Sequence, residues 1–128
     1  EDCTVETARP AQWAAAAIAA YRARQADRIV AEVNQGGAMV EAVLREVDDT
    51  VAFRAVHARH AKRTRAEPVA ALYEQGRVSH VGCFPALEDE MCTAIGGGRH
   101  SPDRLDALVW AVTDLLLRRG GEPRVRRI

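Results

Sequence analysis

The hydrophobic positions of the chain follow two spacings that alternate along its length, and each spacing predicts a different element. Helical spacing recurs in five segments: PAQWAAAAIAAYRARQA, AMVEAVLREV, AEPVAALYEQG, PALEDEMCTAI and SPDRLDALVWAVTDLLLRRG. Short β-prone runs occur in EDCTVET, RIVAEV, TVAFRAVHA and RVSHVG. The predicted order is therefore β-α-β-α-β-α-β-α-α. Strands that alternate with helices predict an α/β domain in which helices pack against a sheet.

Residues that favour helix ends support several of these boundaries. Thr7 is expected to cap the first helix, and Gly76 is expected to end the third. Ser101 precedes Pro102 at the start of the last segment, which is typical of a helix N-terminus. The basic residues before AEPVAALYEQG are interpreted as a turn that leads into that helix.

The strand RIVAEV carries a carboxylate, Glu32, near its end, and the chain then continues as Asn34, Gln35 and two glycines. Both faces of this strand are largely apolar, which indicates a central strand covered on both sides. A carboxylate in such a place must be solvated, paired or bound to a cation, because unpaired burial costs several kcal/mol. One interpretation is that Glu32 emerges at the sheet edge and pairs with an arginine. The other is that it belongs to a functional site.

Two further acids lie at the start of the last predicted helix, where Asp103 and Asp106 share a face. Asp103 could be there because an acid near a helix N-terminus is favoured by the helix dipole. Asp106 precedes the apolar run ALVWAV, so it is expected to have a specific partner. Asp114 lies about 12 to 16 Å further along at the helical rise, too far to share the same site.

Composition and length restrict the class of protein. The chain has 128 residues, of which 48% are hydrophobic and 28% charged, as in an ordinary globular domain. Its longest nearly apolar run, residues 105–117, is too short to span a membrane, and the N-terminus has no signal-peptide pattern. Three cysteines without CxxC spacing favour neither a zinc site nor a disulfide framework. A reducing, cytoplasmic location without membrane partners is expected.

Charge is unevenly distributed although the formal net charge is zero. Residues 51–66 contain no acid, and residues 118–128 contain one acid among five arginines. The basic residues of the first block are Arg54, Arg59, Lys62, Arg63 and Arg65. Two such blocks point weakly to a polyanion, and the simpler alternative is a solvated surface.

Three acids at element ends, without a histidine or cysteine cluster, favour a hard divalent cation such as Mg²⁺ or Mn²⁺. Two such ions can stabilise the attacking and leaving oxygens of a phosphodiester, and the basic blocks could hold its backbone. No GxSxG motif indicates a serine hydrolase, and IGGGRH lacks the ending of a Walker motif.

The segments IVAEVNQGGAMVEAVL and SPDRLDALVWAVTDL resemble two stretches of the nuclease domain of large terminase subunits. Those proteins package DNA in tailed bacteriophages and in gene transfer agents. KRTRAEPVAALYEQGRVSHVG, between the two segments, also matches the family pattern. The resemblance extends from about Trp13 to Leu117.

The resemblance implies a ribonuclease H-like central mixed sheet flanked by helices, with the opening strands missing from this chain. Residues 1–120 would form the nuclease domain, incomplete at its N-terminus, and residues 121–128 a basic tail. The implied activity is metal-dependent endonuclease cleavage of concatemeric double-stranded DNA during genome packaging. The implied partners are DNA, an ATPase motor domain, the small terminase subunit and the portal.

The resemblance also assigns roles to individual residues. Glu32 and Asp103 would bind metal, with two Mg²⁺ or Mn²⁺ ions expected, and Asp106 would be a further ligand or would orient one. Relatives commonly read His-Asp-Asp where this chain has Ser101-Pro102-Asp103, and their first metal-binding aspartate lies on a strand upstream of EDCTV. Whether the chain cuts DNA by itself is therefore left open. The candidate DNA-binding residues are Lys62, Arg63, Arg65 and Arg104, of which Arg104 could instead pair with an acid.

A non-catalytic DNA-binding or docking module of a packaging motor is the alternative function. Repulsion among Glu32, Asp103 and Asp106 would be unfavourable without cations. That argument favours the metal-dependent enzyme over the module.

Overall fold

Five α-helices, two β-strands and one short π-helix form the part of the chain that the structure describes, residues 1–34, 37–94 and 103–117. The structure is a computed structural model. The elements are α1 (Pro10–Ala23), β1 (Ile29–Glu32), α2 (Gly37–Val47), β2 (Phe53–Val56), α3 (Lys62–Glu74), α4 (Pro85–Ala94), α5 (Asp103–Val112) and a π-helix (Thr113–Leu117) that continues α5. Within these ranges, no helix is both long and apolar enough to cross a bilayer.

The two strands are parallel and adjacent, with α2 as the connection between them. Ile29 lies opposite Phe53, and Glu32 lies opposite Val56. Parallel strands need such a crossover, and an amphipathic helix supplies it here. Because side chains alternate along a strand, Glu32 points to the same face of the sheet as Arg54.

Helices α1 and α2 cover one face of the sheet. The buried core of this layer consists of Ala14, Ile18, Leu44 and Val51. Ile29 and Phe53, one from each strand, pack against it. The small side chains of the alanine-rich α1 let the two helices approach each other closely.

Helix α5 covers the other face and packs in turn on α3. The buried residues of this second cluster are Val69, Leu72, Val109 and Val112. Trp110 contacts Glu32 at the end of β1, whereas Asp114 contacts Arg54 earlier in β2. Helix α5 and its π-helical continuation therefore run antiparallel to the strands. This orientation brings the N-terminal turns of α5 to the carboxyl ends of the strands.

Two predicted strands are absent from the described residues. EDCTVET is exposed and has no strand pairing; Thr4 donates to the Asp2 carboxylate instead. RVSHVG is also without strand pairing, and Val81 in it is fully exposed. Strand character needs a neighbouring strand to complete the hydrogen bonds, and the described residues place none beside either segment. The predicted mixed sheet is thus present only as two parallel strands within those ranges.

The predicted helix ends are right in part. Gly76 follows α3 with a positive φ of 66°, as a residue after a helix C-terminus commonly does. The residue that caps α1 is Arg9, not Thr7, and its backbone N–H donates to the side chain of Gln12. The basic residues expected in a turn form the first turn of α3. Ser101 and Pro102 lie outside the described residues.

Candidate active site

Glu32 is the last residue of β1 and lies where the chain leaves the sheet. Its Oε1 accepts a hydrogen bond from Nδ2 of Asn34 at 2.6 Å. Its Oε2 accepts one from Nε1 of Trp110 and one from Nη1 of Arg65, both at 2.7 Å. Three donors therefore fix the position of this carboxylate, which retains only 21% exposure.

The surroundings of Glu32 favour its ionised form. Burial disfavours the charge, but the hydrogen bonds from its three donors and the charge of Arg65 outweigh that effect. Together they lower the pKa of Glu32 from 4.5 to about 2. Glu32 is therefore an anion at neutral pH.

Arg65, in the first turns of α3, links β1 to α5. Its Nη1 binds Glu32, and its Nη2 donates to Oδ1 of Asp106 at 2.9 Å. The guanidinium carbon lies 4.7 Å from the ring centre of Trp110, within the range of a cation–π contact. The Arg65 side chain is only 9% exposed, and its buried Nε has no hydrogen-bond partner among the residues that the structure describes. The guanidinium thus lies between two carboxylates from different elements.

Lys62, one helical turn before Arg65, joins a second pair of acids. Its Nζ lies 3.4 Å from Oδ2 of Asp106 and 3.6 Å from Oδ1 of Asp103. The side chain of Asp106 is 14% exposed, whereas that of Asp103 is 82% exposed. Glu32, Asp106 and Asp103 therefore form a row of carboxylates, and two cations lie between them.

The turn after β1 positions this row. Oδ1 of Asn34 accepts a hydrogen bond from the backbone N–H of Ala58 at 3.3 Å, which ties the end of β1 to the segment after β2. Helix α2 begins at Gly37, where a Cβ atom would lie 2.9 Å from the Cβ of Val33. A side chain at position 37 would push α2 away from the strand end. The close approach explains why glycine is present there.

The other predicted DNA-binding residues and Asp114 lie apart from Glu32. Arg63 is exposed on α3. Arg104 binds Asp2 at 2.7 Å and Glu90 at 3.1 Å, which is the alternative of pairing with an acid. Asp114 pairs with Arg54 at 2.9 Å, further along the face of the sheet.

Two features of the site were not found by sequence reasoning. Glu32 does pair with an arginine, but this residue is Arg65, which the charge pattern assigned to DNA. Trp110 belongs to the apolar run ALVWAV and was not predicted to contact Glu32, although its spacing of four residues from Asp106 places both on one face of α5. That spacing was the available signal. Arg65 offered no comparable signal, because its partners are distant in sequence.

The donor atoms of the row suit a hard divalent cation, since carboxylate oxygens are the ligands that Mg²⁺ and Mn²⁺ prefer. Positive charge between the acids is supplied by Arg65 and Lys62. Among the described residues, no group of three or more His, Cys, Asp or Glu is arranged around one metal position. Glu32, Asp103 and Asp106 therefore suit a divalent metal by the type and charge of their donor atoms. Their side chains would have to move closer together to bind one ion.

Comparison with known proteins identifies the family to which the chain belongs. A family model described as a terminase RNaseH-like domain matches residues 1–115. The chain belongs to this family, a nuclease-type domain of DNA packaging. The resemblance inferred from the sequence is thereby confirmed. Comparisons with curated proteins and with solved structures gave no match.

Proposed function

We propose that the chain is the nuclease part of a large terminase subunit and that it cuts DNA with divalent metal ions. The observation that carries the proposal is the convergence of Glu32 from β1 with Asp103 and Asp106 from α5. Acids from separate elements would repel one another unless a cation joined them. Membership of the terminase RNaseH-like family supports the same function.

Glu32, Asp103 and Asp106 are the residues that would hold Mg²⁺ or Mn²⁺, with two ions expected. A bound divalent ion of this kind activates water and neutralises charge on the scissile phosphate. Asn34 and Trp110 keep the Glu32 carboxylate oriented towards α5. Asp103 is exposed at the start of α5, where a DNA backbone has access to it.

The proposed substrate is concatemeric double-stranded DNA, cut during packaging into phage-like particles. The proposed partners are an ATPase motor domain, the small terminase subunit and the portal. Arg63 is exposed on the same helix as Lys62 and Arg65 and is the best placed of these basic residues to contact a DNA phosphate.

Nicking of supercoiled plasmid tests the proposal. The chain and a version extended upstream are each assayed with Mn²⁺, Mg²⁺ or EDTA, because the family resemblance places a further aspartate upstream. We expect metal-dependent nicking that Asp103→Asn reduces at least about 100-fold, since a metal ligand would be lost. Asp89→Asn, which removes an exposed acid on α4, is the matched control and should retain activity.

Unchanged nicking by Asp103→Asn in the form that cuts would remove this residue from the site. Nicking that persists in EDTA would contradict the metal-dependent mechanism.

A non-catalytic DNA-binding or docking module is the second candidate, and one observation favours it. Arg65 and Lys62 already neutralise much of the charge of the acids, so their convergence does not by itself require a metal. The repulsion argument drawn from the sequence is weaker for that reason. Retention of plasmid in a gel shift, without nicking or metal binding by either form, would support the module.

A further inference from the structure

We propose that Arg65 is an internal counter-cation that competes with metal ions for Glu32 and Asp106, so that metal binding displaces its guanidinium. This inference rests on the proposed function, because it concerns the same three carboxylates. It assigns to Arg65 a role other than contact with DNA.

The contacts of Arg65 place its charge where a bridging metal would have to act. One guanidinium nitrogen is 2.7 Å from Glu32 and another is 2.9 Å from Asp106. Both carboxylates are largely enclosed, with side-chain exposures of 21% and 14%. The second oxygen of Glu32 accepts a hydrogen bond from Asn34, and that of Asp106 lies beside Lys62. A metal ion held by both carboxylates would therefore compete with Arg65 for them.

The net charge of the three carboxylates and two cations also predicts that Arg65 weakens metal binding. Among the residues that the structure describes, three carboxylates of this cluster face the cations Arg65 and Lys62, which leaves one formal negative charge to attract a metal. Removal of the Arg65 charge would leave two. Because a guanidinium within a few Å repels a divalent cation, its loss should increase metal affinity by about tenfold or more.

The position of Arg65 also leaves one of its groups unsatisfied. Within the described part of the chain, its buried Nε finds no hydrogen-bond partner, and an unsatisfied donor disfavours the buried position. The carboxylates and the ring of Trp110 hold the side chain in spite of this. A metal that took over the carboxylates would remove the principal attraction, and the guanidinium would leave its place beside the ring.

Calorimetric titration with Mn²⁺ tests the competition directly, without an activity readout. We expect Arg65→Gln to bind Mn²⁺ about tenfold more tightly than the wild type. Arg65→Lys, which keeps the charge but not the two-pronged geometry, should fall between the two. Arg22→Gln is the matched control, since Arg22 binds the buried Asp48 on the opposite side of the sheet, and its affinity should equal that of the wild type.

A second measurement does not depend on the folding of the Arg65 variants. The chain has two tryptophans, so in a Trp13→Phe background the fluorescence reports on Trp110 alone. We expect a saturable change with Mg²⁺ at constant ionic strength, as the guanidinium leaves the indole ring.

The outcomes separate the inference from the proposed function. Equal or weaker Mn²⁺ binding by Arg65→Gln would make Arg65 a fixed positioning residue and overturn the inference alone. Metal binding without a change in Trp110 fluorescence would have the same consequence. Failure of every variant to bind Mn²⁺, both in this chain and in the form extended upstream, would overturn the proposed function and the inference with it.

Discussion

Glu32 and Asp103 differ in how much protein surrounds each carboxylate. Glu32 has three hydrogen-bond donors, whereas the side chain of Asp103 is 82% exposed beside Lys62. Substitution of Glu32 therefore changes stability as well as chemistry. Substitution of the exposed Asp103 should disturb the fold little, which makes Asp103→Asn the cleaner test of the proposed activity.

The lowered pKa of Glu32 predicts an acid-sensitive contribution to stability. A carboxyl group whose pKa is near 2 in the folded chain and 4.5 as its reference value stabilises the fold above about pH 4.5. The contribution is lost as pH falls towards 2. We expect it to amount to about 2 kcal/mol, allowing for partial exposure. Urea unfolding of the wild type and Glu32→Gln between pH 6 and about 2 measures it.

The variant should be less stable at neutral pH, and the difference should shrink as the solution is acidified. Glu41→Gln removes a surface carboxylate that pairs with Arg45 on α2 and should retain the acid sensitivity of the wild type. A constant difference between the wild type and Glu32→Gln at all pH values would contradict the prediction.

The junction of β1 with α2 depends on a close approach between two elements. A Cβ atom added at Gly37 would lie 2.9 Å from the Cβ of Val33, which is 3% exposed in the core. We expect Gly37→Ala to destabilise the fold by about 1 to 3 kcal/mol, because the strand end or the helix must shift to relieve the contact with Val33. The free energy of unfolding in urea measures this cost.

A double-mutant cycle with Val33→Ala identifies the cause. The cost of Gly37→Ala should fall in part when Val33 is shortened, because alanine removes the Cγ2 atom that would lie 3.0 Å from the new Cβ but keeps the Val33 Cβ. Gly76→Ala is the control: its cost arises from a positive φ in open space, so it should be additive with Val33→Ala. Additivity of the Gly37 and Val33 substitutions would show that contact with the Val33 methyl groups does not contribute to the cost.

Sequence periodicity predicted all five α-helices because the apolar face of a helix is a local property. The strand segments differ. RIVAEV and TVAFRAVHA contain real strands, whereas EDCTVET and RVSHVG do not pair within the described residues. Pairing depends on which segments lie side by side in the folded chain, and local composition does not determine that.

The candidate site could be predicted only in part for the same reason. The ends of a strand and a helix indicated Glu32 and Asp106, but the packing of α3 on α5 placed Arg65 between them.

Over the whole molecule, several basic side chains are committed to internal ion pairs. Arg65 binds Glu32 and Asp106, Arg104 binds Asp2 and Glu90, and Arg54 binds Asp114. The count of basic residues therefore overstates the charge that DNA would meet. Exposed residues such as Arg63 are the better candidates for phosphate contacts.

The salt dependence of DNA binding should distinguish the exposed from the buried cations. We expect Arg63→Gln to reduce the slope of log K against log salt concentration by about 1, because one phosphate contact is lost. Arg65→Gln, measured without divalent metal, should leave the slope unchanged. Filter binding to linear duplex DNA across a range of salt concentrations provides the measurement. A reduced slope for Arg65→Gln would show that its guanidinium reaches a phosphate when DNA is bound.

Asp106, Trp110 and Asp114 recur at intervals of four residues along α5 and its π-helical continuation, and each contacts a different partner. A slide of this helix by one turn would separate Arg65, Glu32 and Arg54 from their partners at the same time. Such register shifts take microseconds to milliseconds, whereas side-chain rotations are faster. The consequence is kinetic. Rotation of the Arg65 side chain breaks the contacts of one residue, whereas a slide of α5 would break those of three. We therefore expect the proposed exchange of Arg65 for a metal ion to be faster than movement of the helix.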